Sequence, residues 1–373
     1  MDDEPIPTYL QLMNIATSRI AWITRREIVG GEELPSNHAW GTDFLFSLGA
    51  TRVPTRHIAW IDRIGEKLRL GPNVSEQIWL FFNRRKYDFI IAKDTDLITM
   101  LCGLLWLFRQ RKDMFAFLHF PLRVSIKDFF LAKRCGVLLA LSEKIRTLSL
   151  ISYPAAAESL VTLRWGVDIE FYDRLRARLG TSAASDDKLR ILLIGITGRK
   201  FNAFVEAVGD DPDIEVRVLT GSADVVREIA RLPNFRSIRE NLDKPVPYPD
   251  LVANYLACDL VAIPLDMKRA SDAELIRHRA TLWGITTLLE ASALSKPVVM
   301  TFNPVIDFDV VGQQCGLFIH DDDAAHWREG IQKCKASRAA LPSMGALARL
   351  HAETDYDMRE FQKQLRAIIE SLP

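Results

Sequence analysis

Cysteine is scarce and scattered in this chain. The five cysteines form no Cys-x-x-Cys pair, are odd in number and are mostly flanked by apolar residues; they are Cys102, Cys135, Cys258, Cys315 and Cys334. This distribution argues against both a zinc site and a disulfide framework. It is typical of a protein that works in a reducing compartment.

Long apolar runs and net charge are also missing. The longest apolar run, Leu97 to Phe108, has about 12 residues, whereas a membrane-spanning helix needs about 20. The acidic start, Met1 to Glu4, lacks the basic segment of a secretory signal, so we expect none. The 48 Lys and Arg residues balance 48 Asp and Glu residues, which argues against a general nucleic-acid-binding protein. We therefore predict a cytoplasmic protein without a nucleic-acid partner.

The balanced total hides an uneven distribution of charge. Residues 1–165 carry 22 basic and 17 acidic residues, a net of +5, and the remainder has a net of −5. Three stretches of the first half combine basic and apolar residues: Phe81 to Lys86, Arg109 to Lys112 and Lys127 to Arg134. Such stretches suit peripheral contact with anionic lipid at the inner face of a membrane. They also suit core helices with solvated ends, and the sequence leaves both interpretations open.

The length of the chain, 373 residues, predicts two domains. Continuous apolar segments alternate with helical patterns, which is typical of parallel strands covered by helices on both faces. The small, polar stretch from Gly180 to Asp187 has the composition of a linker. We predict an α/β fold with two doubly wound parallel sheets, in domains at 1–180 and 188–352. Ligands of such sheets bind outside the carboxyl ends of the strands, so both domains would face one cleft.

The apolar pattern also predicts the individual elements. In the first half it predicts strands at 19–24, 57–61, 87–92, 114–119 and 136–142, and helices at 36–48 and 97–110. Ser142 is expected to cap the helix that follows it. In the second half it predicts strands at 189–195, 214–220, 260–264, 298–300 and 315–319, and helices at 201–208 and 248–257.

One segment of the second half indicates a ligand. Gly284 and the hydroxyl residues Thr286 and Thr287 open a short helix, and Glu290 follows one to two turns later. A helix N-terminus of this kind is a ready anion site, because its free N–H groups and its dipole point outward. A carboxylate at Glu290 suits the diol of a ribose or a sugar, so the parts together suit a nucleotide diphosphate-sugar. An ordinary helix–strand unit with a solvated Glu remains the alternative.

Two cations follow a glycine loop at the start of the second half. Arg199 and Lys200 come directly after Gly195-x-x-Gly198, where they could neutralise a diphosphate without a metal ion. The loop also invites a dehydrogenase interpretation. That interpretation is disfavoured because the third glycine and the ribose-binding acid of the dinucleotide fingerprint are missing.

Polar residues of the first half are candidates for catalysis. His38 and Asp43 lie on the predicted first helix, where either could act as a general base in an inverting transfer. Asp94 follows a strand and is interpreted as lining the cleft on the acceptor side, with Asp96 as a helix cap. His119 ends another strand, where a lone histidine is commonly a structural hydrogen-bonding group. Structural roles remain open for all of them.

Six segments, taken in order, resemble the retaining glycosyltransferases of family 4, which have the GT-B fold. The resemblance rests on the following segments: Gly30–Gly31, Ser142–Arg146, Trp165–Asp168, Gly195–Phe201, Gly284–Thr301 and Gly312–Phe318. It implies transfer of a sugar from a UDP- or GDP-sugar to a glycan, a lipid-linked or a small-molecule acceptor. It implies no cofactor besides the donor, and a final segment, 353–373, that returns to the first domain.

The resemblance also assigns roles to residues. The donor would be bound by Gly195, Arg199, Lys200, Gly284, Thr286, Thr287 and Glu290. The acceptor would lie against Gly31, His38, Asp43, Asp94 and His119, with His119 at the position of a family histidine that contacts the donor sugar. Gly31 belongs to the N-terminal glycine loop and is also counted among the ligand-binding glycines.

Three departures from the family pattern limit these expectations. Leu282 stands where the family has the first Glu of its Glu-x7-Glu pair, Ser295 replaces a glycine, and Trp165 replaces an asparagine. The stereochemical outcome is therefore not predicted. A nucleotide-sugar 2-epimerase of the same fold and a catalytically inactive nucleotide-sugar-binding protein remain alternatives. Asp94-Thr95-Asp96 matches the metal motif of the other large glycosyltransferase fold. Two successive series of alternating strands and helices disfavour that fold, so no metal site is predicted.

Overall fold

The computed structural model describes residues 19–24, 34–38, 42–54, 57–68, 70–110, 113–180, 187–195, 197–238, 246–267 and 270–371. Within these residues two six-stranded sheets form. The strands of the first sheet are β1 (Ile20–Ile23), β2 (Ala50–Arg52), β3 (Phe89–Ala92), β4 (Asp113–Leu118), β5 (Val137–Ala140) and β6 (Leu160–Thr162). Those of the second are β7 (Leu189–Ile194), β8 (Ile214–Leu219), β9 (Phe235–Ser237), β10 (Leu260–Ile263), β11 (Val298–Thr301) and β12 (Gly316–Ile319).

Both sheets are parallel throughout. Their strand orders are β2-β1-β3-β4-β5-β6 and β12-β11-β10-β7-β8-β9. The central strands are apolar and buried along their whole length, as in Ile20–Ile23 and Leu260–Ile263, because helices cover both faces of a parallel sheet. The prediction of two doubly wound, Rossmann-like sheets is confirmed.

The helices alternate with the strands along the chain. In the first half they are α1 (Thr42–Ser47), α2 (Ala59–Lys67), α3 (Val74–Asn83), α4 (Thr99–Leu107), α5 (Ile126–Arg134), α6 (Glu143–Ser152) and α7 (Ile169–Leu179). In the second half they are α8 (Asn202–Val208), α9 (Ala223–Ile229), α10 (Tyr248–Leu256), α11 (Asp272–Arg277), α12 (Ile285–Ala293), α13 (Ala324–Ala336), α14 (Leu341–Asp355) and α15 (Met358–Glu370). Ser142 caps α6, as predicted, by accepting a hydrogen bond from the backbone N–H of Ile145 at 3.1 Å.

Two predicted elements of the first half were wrong. The apolar run at 57–61 is not a strand: it opens helix α2, and the second strand in sequence is the short β2. A short apolar run fits a strand and a helix equally well, and the four-residue spacing of Trp60 and Ile64 marks the helix. The helix predicted at 36–48 is also wrong at its start. Residues 36–38 form a turn, in which the His38 N–H donates to the Pro35 carbonyl at 2.9 Å, and helix α1 begins at Thr42.

The C-terminal helix lies against the first sheet. The ring of Phe361 on α15 stacks on that of Phe117 on β4, with centroids 6.1 Å apart. Just before this helix, the N–H of Val167 donates to the carbonyl of Tyr356 at 2.7 Å. The domain boundaries at residues 180, 188 and 352 stay a prediction. Within the described ranges, no helix combines the length and the apolar character that a membrane crossing requires.

Candidate functional site

A cavity of about 500 Å³ lies at the carboxyl edge of the second sheet and is closed on one side by the first half. The second half forms most of its walls, with residues at the ends of β7 and β8, in the loop after β7, on α10, and on and just before α12. Those residues are Ile194, Gly195, Thr197, Arg199, Leu219, Leu251, Leu282, Trp283, Gly284, Thr286, Thr287 and Glu290. The first half contributes Asn37, His38 and Trp165. The volume is in the range that holds a ligand of nucleotide size.

The N-terminus of helix α12 opens into this cavity. Gly284 precedes the helix in a left-handed conformation, with φ +93°, which favours glycine. A Cβ at this position would also meet the side chains of Ile263 and Leu265 at 3.3 and 3.4 Å. Thr286 and Thr287 lie in the first turn, where backbone N–H groups have no helical acceptor. The predicted anion-binding helix start therefore lines a cavity.

Arg199 is the cation that faces the helix start. Its guanidinium donates to the Ile194 carbonyl at 3.1 Å and to the Thr287 hydroxyl at 3.0 Å. It lies directly over Gly195, where any Cβ would collide with it. Burial lowers the pKa of Arg199 to about 10, so the group stays charged at neutral pH. Arg199 thereby supplies one fixed positive charge to the cavity.

The side chain of Lys200 has its partner outside the cavity, unlike that of Arg199. Its ammonium group pairs with the buried carboxylate of Asp322 at 3.1 Å, and the residue is absent from the cavity wall. The indole N–H of Trp327 donates to the same carboxyl group at 3.0 Å. The two adjacent cations of the predicted diphosphate loop are therefore separated, and Arg199 alone reaches the cavity.

Glu290 is buried and is held by three side chains. Its Oε1 lies 2.7 Å from His38 Nε2 and accepts a hydrogen bond from the Tyr172 hydroxyl at 3.1 Å. Its Oε2 accepts from the Tyr255 hydroxyl at 2.9 Å. Burial and the nearby carboxylate raise the pKa of Tyr172 and of Tyr255 well above the usual value, so both stay protonated donors. These bonds compensate the cost of burying a carboxylate.

This arrangement changes the interpretation of Glu290. The sequence predicts a carboxylate open to a ribose or sugar diol, yet both oxygens already accept hydrogen bonds from protein groups. A carboxylate oxygen has two acceptor positions, so a ligand hydroxyl at Oε2 would share the group with Tyr255. Because His38 belongs to the first half, Glu290 also joins the two halves of the cleft.

The turn that carries Asn37 and His38 is anchored on Asp168. The backbone N–H of Ser36 donates to Asp168 Oδ2 at 3.0 Å, and the Asp168 N–H donates to the Asn37 side-chain oxygen at 3.3 Å. The other oxygen of Asp168 caps helix α7 by accepting from the Phe171 N–H at 3.0 Å. Asp168 ends the Trp165–Asp168 segment, so that segment positions the wall that the first half adds to the cavity.

Three other predicted residues of the first half, His119, Asp94 and Asp43, are not part of this cavity wall. His119 Nε2 lies 3.0 Å from the Lys93 carbonyl, and burial lowers the pKa of this histidine. Asp94 accepts from the Asp96 N–H at 2.9 Å and caps the short turn of helix that follows. The assignment of the cap to Asp96 was therefore wrong. Asp43 is exposed and accepts from the Ser36 hydroxyl at 2.5 Å. Gly31 lies outside the described residues.

Several functional candidates were missed by sequence reasoning. Tyr172 and Tyr255 lie on α7 and α10, and no local sequence pattern indicates that both donate to Glu290. Trp283 packs so closely on Gly198 that a Cβ there would lie 2.3 Å from its ring. The signal available in the sequence was the aromatic residue directly before Gly284. Asn37 had no signal, because its importance depends on partners far away in the chain.

Among the described residues, no group of three or more His, Cys, Asp and Glu side chains is placed to hold a metal ion.

Two parallel Rossmann-like sheets with a cavity between the two halves of the chain are the arrangement of the GT-B fold. The structure is similar to sucrose-phosphate synthase from Thermosynechococcus elongatus, with a TM-score of 0.66 and 15% identity over 94% of this chain and 98% of that chain. It is also similar to HepE from Anabaena, solved with UDP and glucose, with a TM-score of 0.62 and 15% identity over 95% of this chain and 100% of that chain.

The sequence comparison matches a shorter part of the chain than the structural comparison does. The chain is 25% identical over 226 residues to D-inositol 3-phosphate glycosyltransferase from Corynebacterium aurimucosum. The match covers 54% of this chain and 49% of the relative, so the similarity spans about half of each protein. No family model matches the chain. The predicted resemblance to GT-B glycosyltransferases is confirmed, at low identity.

Proposed function

We propose that the protein is a glycosyltransferase that moves a sugar from a UDP- or GDP-sugar to a glycan, a lipid-linked or a small-molecule acceptor. The observation that carries this proposal is the cavity at the start of α12, where a helix N-terminus, two threonines and Arg199 converge. A diphosphate needs such a set of donors, because its charge must be neutralised away from bulk water.

The proposed donor site combines charged and polar groups for the diphosphate with an apolar wall for the base. Arg199 and the first-turn N–H groups beside Thr286 and Thr287 would bind the diphosphate and stabilise the leaving nucleotide. Leu219 and Leu251 supply an apolar wall suited to a flat base. Glu290, through Oε2, would accept from a ribose hydroxyl. Metal independence stays a prediction, supported by the cation and the helix dipole at the proposed diphosphate position.

The acceptor site is proposed from the positions of its residues in the fold. His119, Asp94 and Asp43 follow strands or open a helix of the first half, which would face an acceptor across the cleft. None of them lines the cavity described above. A general base for an inverting reaction, or a sugar contact by His119, therefore stays a proposal. Closure of the two halves would exclude water and limit hydrolysis of the donor.

The test is incubation of the intact protein with a panel of UDP- and GDP-sugars, with products followed by chromatography. Slow release of the nucleoside diphosphate from one donor supports a transferase. Interconversion of two donor sugars would instead identify an epimerase. Binding without turnover, measured by calorimetry, would identify an inactive binding protein, and the absence of binding to every donor would overturn the proposal.

A second proposal concerns the membrane. The ends of α3 and α4 meet at Phe81, whose ring lies 5.4 Å from that of Phe82 and 5.3 Å from that of Phe108. Arg84 lies over the same ring and donates to the Gln110 side chain at 3.1 Å. Two of the three basic-apolar stretches of the sequence thus form one surface.

We call this surface the aromatic-basic patch, and it consists of Phe82, Arg84, Arg85, Leu107, Phe108 and Arg109. Phe82, Leu107 and Phe108 are 75%, 64% and 56% exposed. Exposed aromatic groups among arginines suit the headgroup region of an anionic bilayer. This would place the protein at the inner, cytoplasmic face of a membrane, near a lipid-linked acceptor.

Co-sedimentation with vesicles tests the patch. The protein should bind vesicles that contain a third of phosphatidylglycerol better than vesicles of phosphatidylcholine alone, and salt should weaken the binding. Replacing Phe82 and Phe108 by serine should abolish most of it. The matched control is Leu350→Ser, an exposed apolar residue of the second half at 58% exposure. Equal binding by the double variant and the control would remove this proposal.

A further inference from the structure

One buried polar group at the cavity has no hydrogen-bond partner among the residues that the structure describes. It belongs to Asn37, which lines the cavity and is 1% exposed. Its Oδ1 accepts from the Asp168 N–H at 3.3 Å. For its Nδ2, no hydrogen-bond acceptor is present in the part of the chain that the structure describes. A buried donor without an acceptor is costly, so such a group calls for a physical explanation.

The orientation of this amide is determined by its surroundings. Asp168 holds the Asn37 oxygen from one side and the Ser36 N–H from the other. Because the oxygen must face the Asp168 N–H, the amide nitrogen must point away from Asp168. Reversing the amide would place two donors against each other. The lack of an acceptor for these N–H groups among the described residues therefore follows from the two hydrogen bonds that hold this turn on Asp168.

A second buried asparagine shows what a structural amide looks like in the same protein. Asn303 is also 1% exposed. Its nitrogen donates to the carbonyls of Thr281 and Trp283, each at 3.0 Å, and its oxygen accepts from the Val305 N–H at 3.2 Å. Both ends of Asn303 are used within the fold. At Asn37 only the oxygen is used, and the unused end belongs to a residue of the cavity wall.

We propose that Asn37 is a ligand-binding residue whose carboxamide donates a hydrogen bond to an oxygen of the nucleotide diphosphate in this cavity. The inference rests on the proposed function and deepens it. Arg199 and the start of α12 bind the ligand from the second half, and Asn37 completes the site from the first half. A bound nucleotide thereby connects the two halves through one neutral donor. The acceptor is a ribose hydroxyl or a phosphate oxygen, which share this chemistry.

Calorimetry with UDP and GDP tests the proposal on four proteins. Asn37→Asp keeps the oxygen that faces Asp168 and removes the N–H donor; measurement at pH 8 keeps the new carboxyl group ionised. Asn37→Leu removes the whole carboxamide at similar volume and adds no charge. Ser36→Ala, in the same turn and outside the cavity wall, is the matched control. The unaltered protein completes the set.

Both Asn37 variants should bind the preferred nucleotide at least tenfold more weakly, while Ser36→Ala stays within about twofold. Uridine or guanosine distinguishes the two acceptors, since a contact to phosphate leaves nucleoside binding unchanged and a contact to ribose weakens it equally. The melting temperature without ligand should fall less in Asn37→Leu, which loses one hydrogen bond, than in Asn303→Leu, which loses three.

Three results would overturn the proposal. Binding by both Asn37 variants within twofold of the parent would show that the carboxamide does not touch the ligand. Weakening in Asn37→Asp alone would show charge repulsion instead of a lost donor. A melting-temperature loss in Asn37→Leu as large as in Asn303→Leu would show a structural amide. Absence of nucleotide binding by the unaltered protein overturns the proposed function itself, which is a distinguishable outcome.

Discussion

The two halves of the cleft differ in how their polar residues are brought together. On the second half, Arg199 lies in the loop after β7, and Thr287 lies in the first turn of α12, between β10 and β11; their side chains are in contact. On the first half, His119, Asp94 and Asp43 each have a separate local partner and do not line the cavity. Asp94 and His119 also follow adjacent strands, β3 and β4. The comparison therefore shows that a shared carboxyl edge places polar residues near one another, but does not decide which side chains line a cavity.

The cavity nevertheless has walls from both halves of the chain. Glu290 is contributed by the second half, but two of its three partners, His38 and Tyr172, belong to the first. The second half therefore supplies the charges of the site, and the first half supplies the hydrogen bonds that bury one of them. The predictions below test this contrast, from the largest expected effect to the smallest.

Glu290→Gln should produce the largest loss of stability. The change keeps the shape of the side chain but replaces one acceptor oxygen by an NH2 group, which would face a donor from His38, Tyr172 or Tyr255. We expect a loss of about 3 kcal/mol in the free energy of unfolding, seen as a melting temperature several degrees lower. The control is Glu329→Gln, an exposed partner of Lys333 on α13, for which we expect at most about 0.5 kcal/mol. Equal melting temperatures for the two variants would show that the buried network adds no net stability.

Arg199→Ala should have the largest effect on ligand binding. Loss of a charge-assisted contact to the diphosphate should weaken UDP or GDP binding by about 2 kcal/mol, or roughly 30-fold. Lys200→Ala is the matched control, because this neighbouring cation pairs with Asp322 and should change affinity by less than about threefold. Calorimetry measures both. If Lys200→Ala weakened binding as much as Arg199→Ala, the two cations would act as the sequence pattern suggests, and the contrast drawn from the structure would be lost.

His119 should have the smallest effect, confined to acid pH. Burial lowers its pKa in the folded protein below the usual 6.5, so the unfolded chain takes up its proton first as the pH falls. Stability that is complete above pH 6.5 is then lost as the pH decreases through the folded pKa. His119→Gln, which keeps a side-chain donor for the Lys93 carbonyl, should flatten the decline in melting temperature between pH 7 and pH 5. The same decline in both proteins would assign it to other groups.

Sequence reasoning reached the architecture because the relevant signals are local. Buried parallel strands are largely apolar runs, and the alternation of such runs, for example Leu189–Ile194 and Val298–Thr301, with helical patterns predicts a parallel sheet. The helix start at Gly284 was equally readable, because a glycine followed by hydroxyl residues is a property of adjacent positions. The run at 57–61 failed for the opposite reason, since four or five apolar residues fit the burial pattern of a strand and of a helix start.

Contacts between distant positions were beyond the same reasoning. His38 and Glu290 are 252 positions apart, and Tyr172 and Glu290 are 118 apart. Even for the adjacent residues Arg199 and Lys200, the sequence does not predict the partner of each side chain. Both residues follow the same loop, but only the backbone path decides that one side chain crosses to Thr287 and the other turns to Asp322.

The amino-acid sequence by itself determined two parallel α/β sheets, a glycine-led helix start and a basic loop beside it, because each depends on residues that are neighbours in the chain. The tertiary structure decided which of these groups share a cavity. It buried Glu290 under two tyrosines and a histidine, and it left the amide nitrogen of Asn37 without a partner among the described residues. The physical reason is that burial and hydrogen bonding are satisfied by whatever the fold brings near, irrespective of distance along the chain.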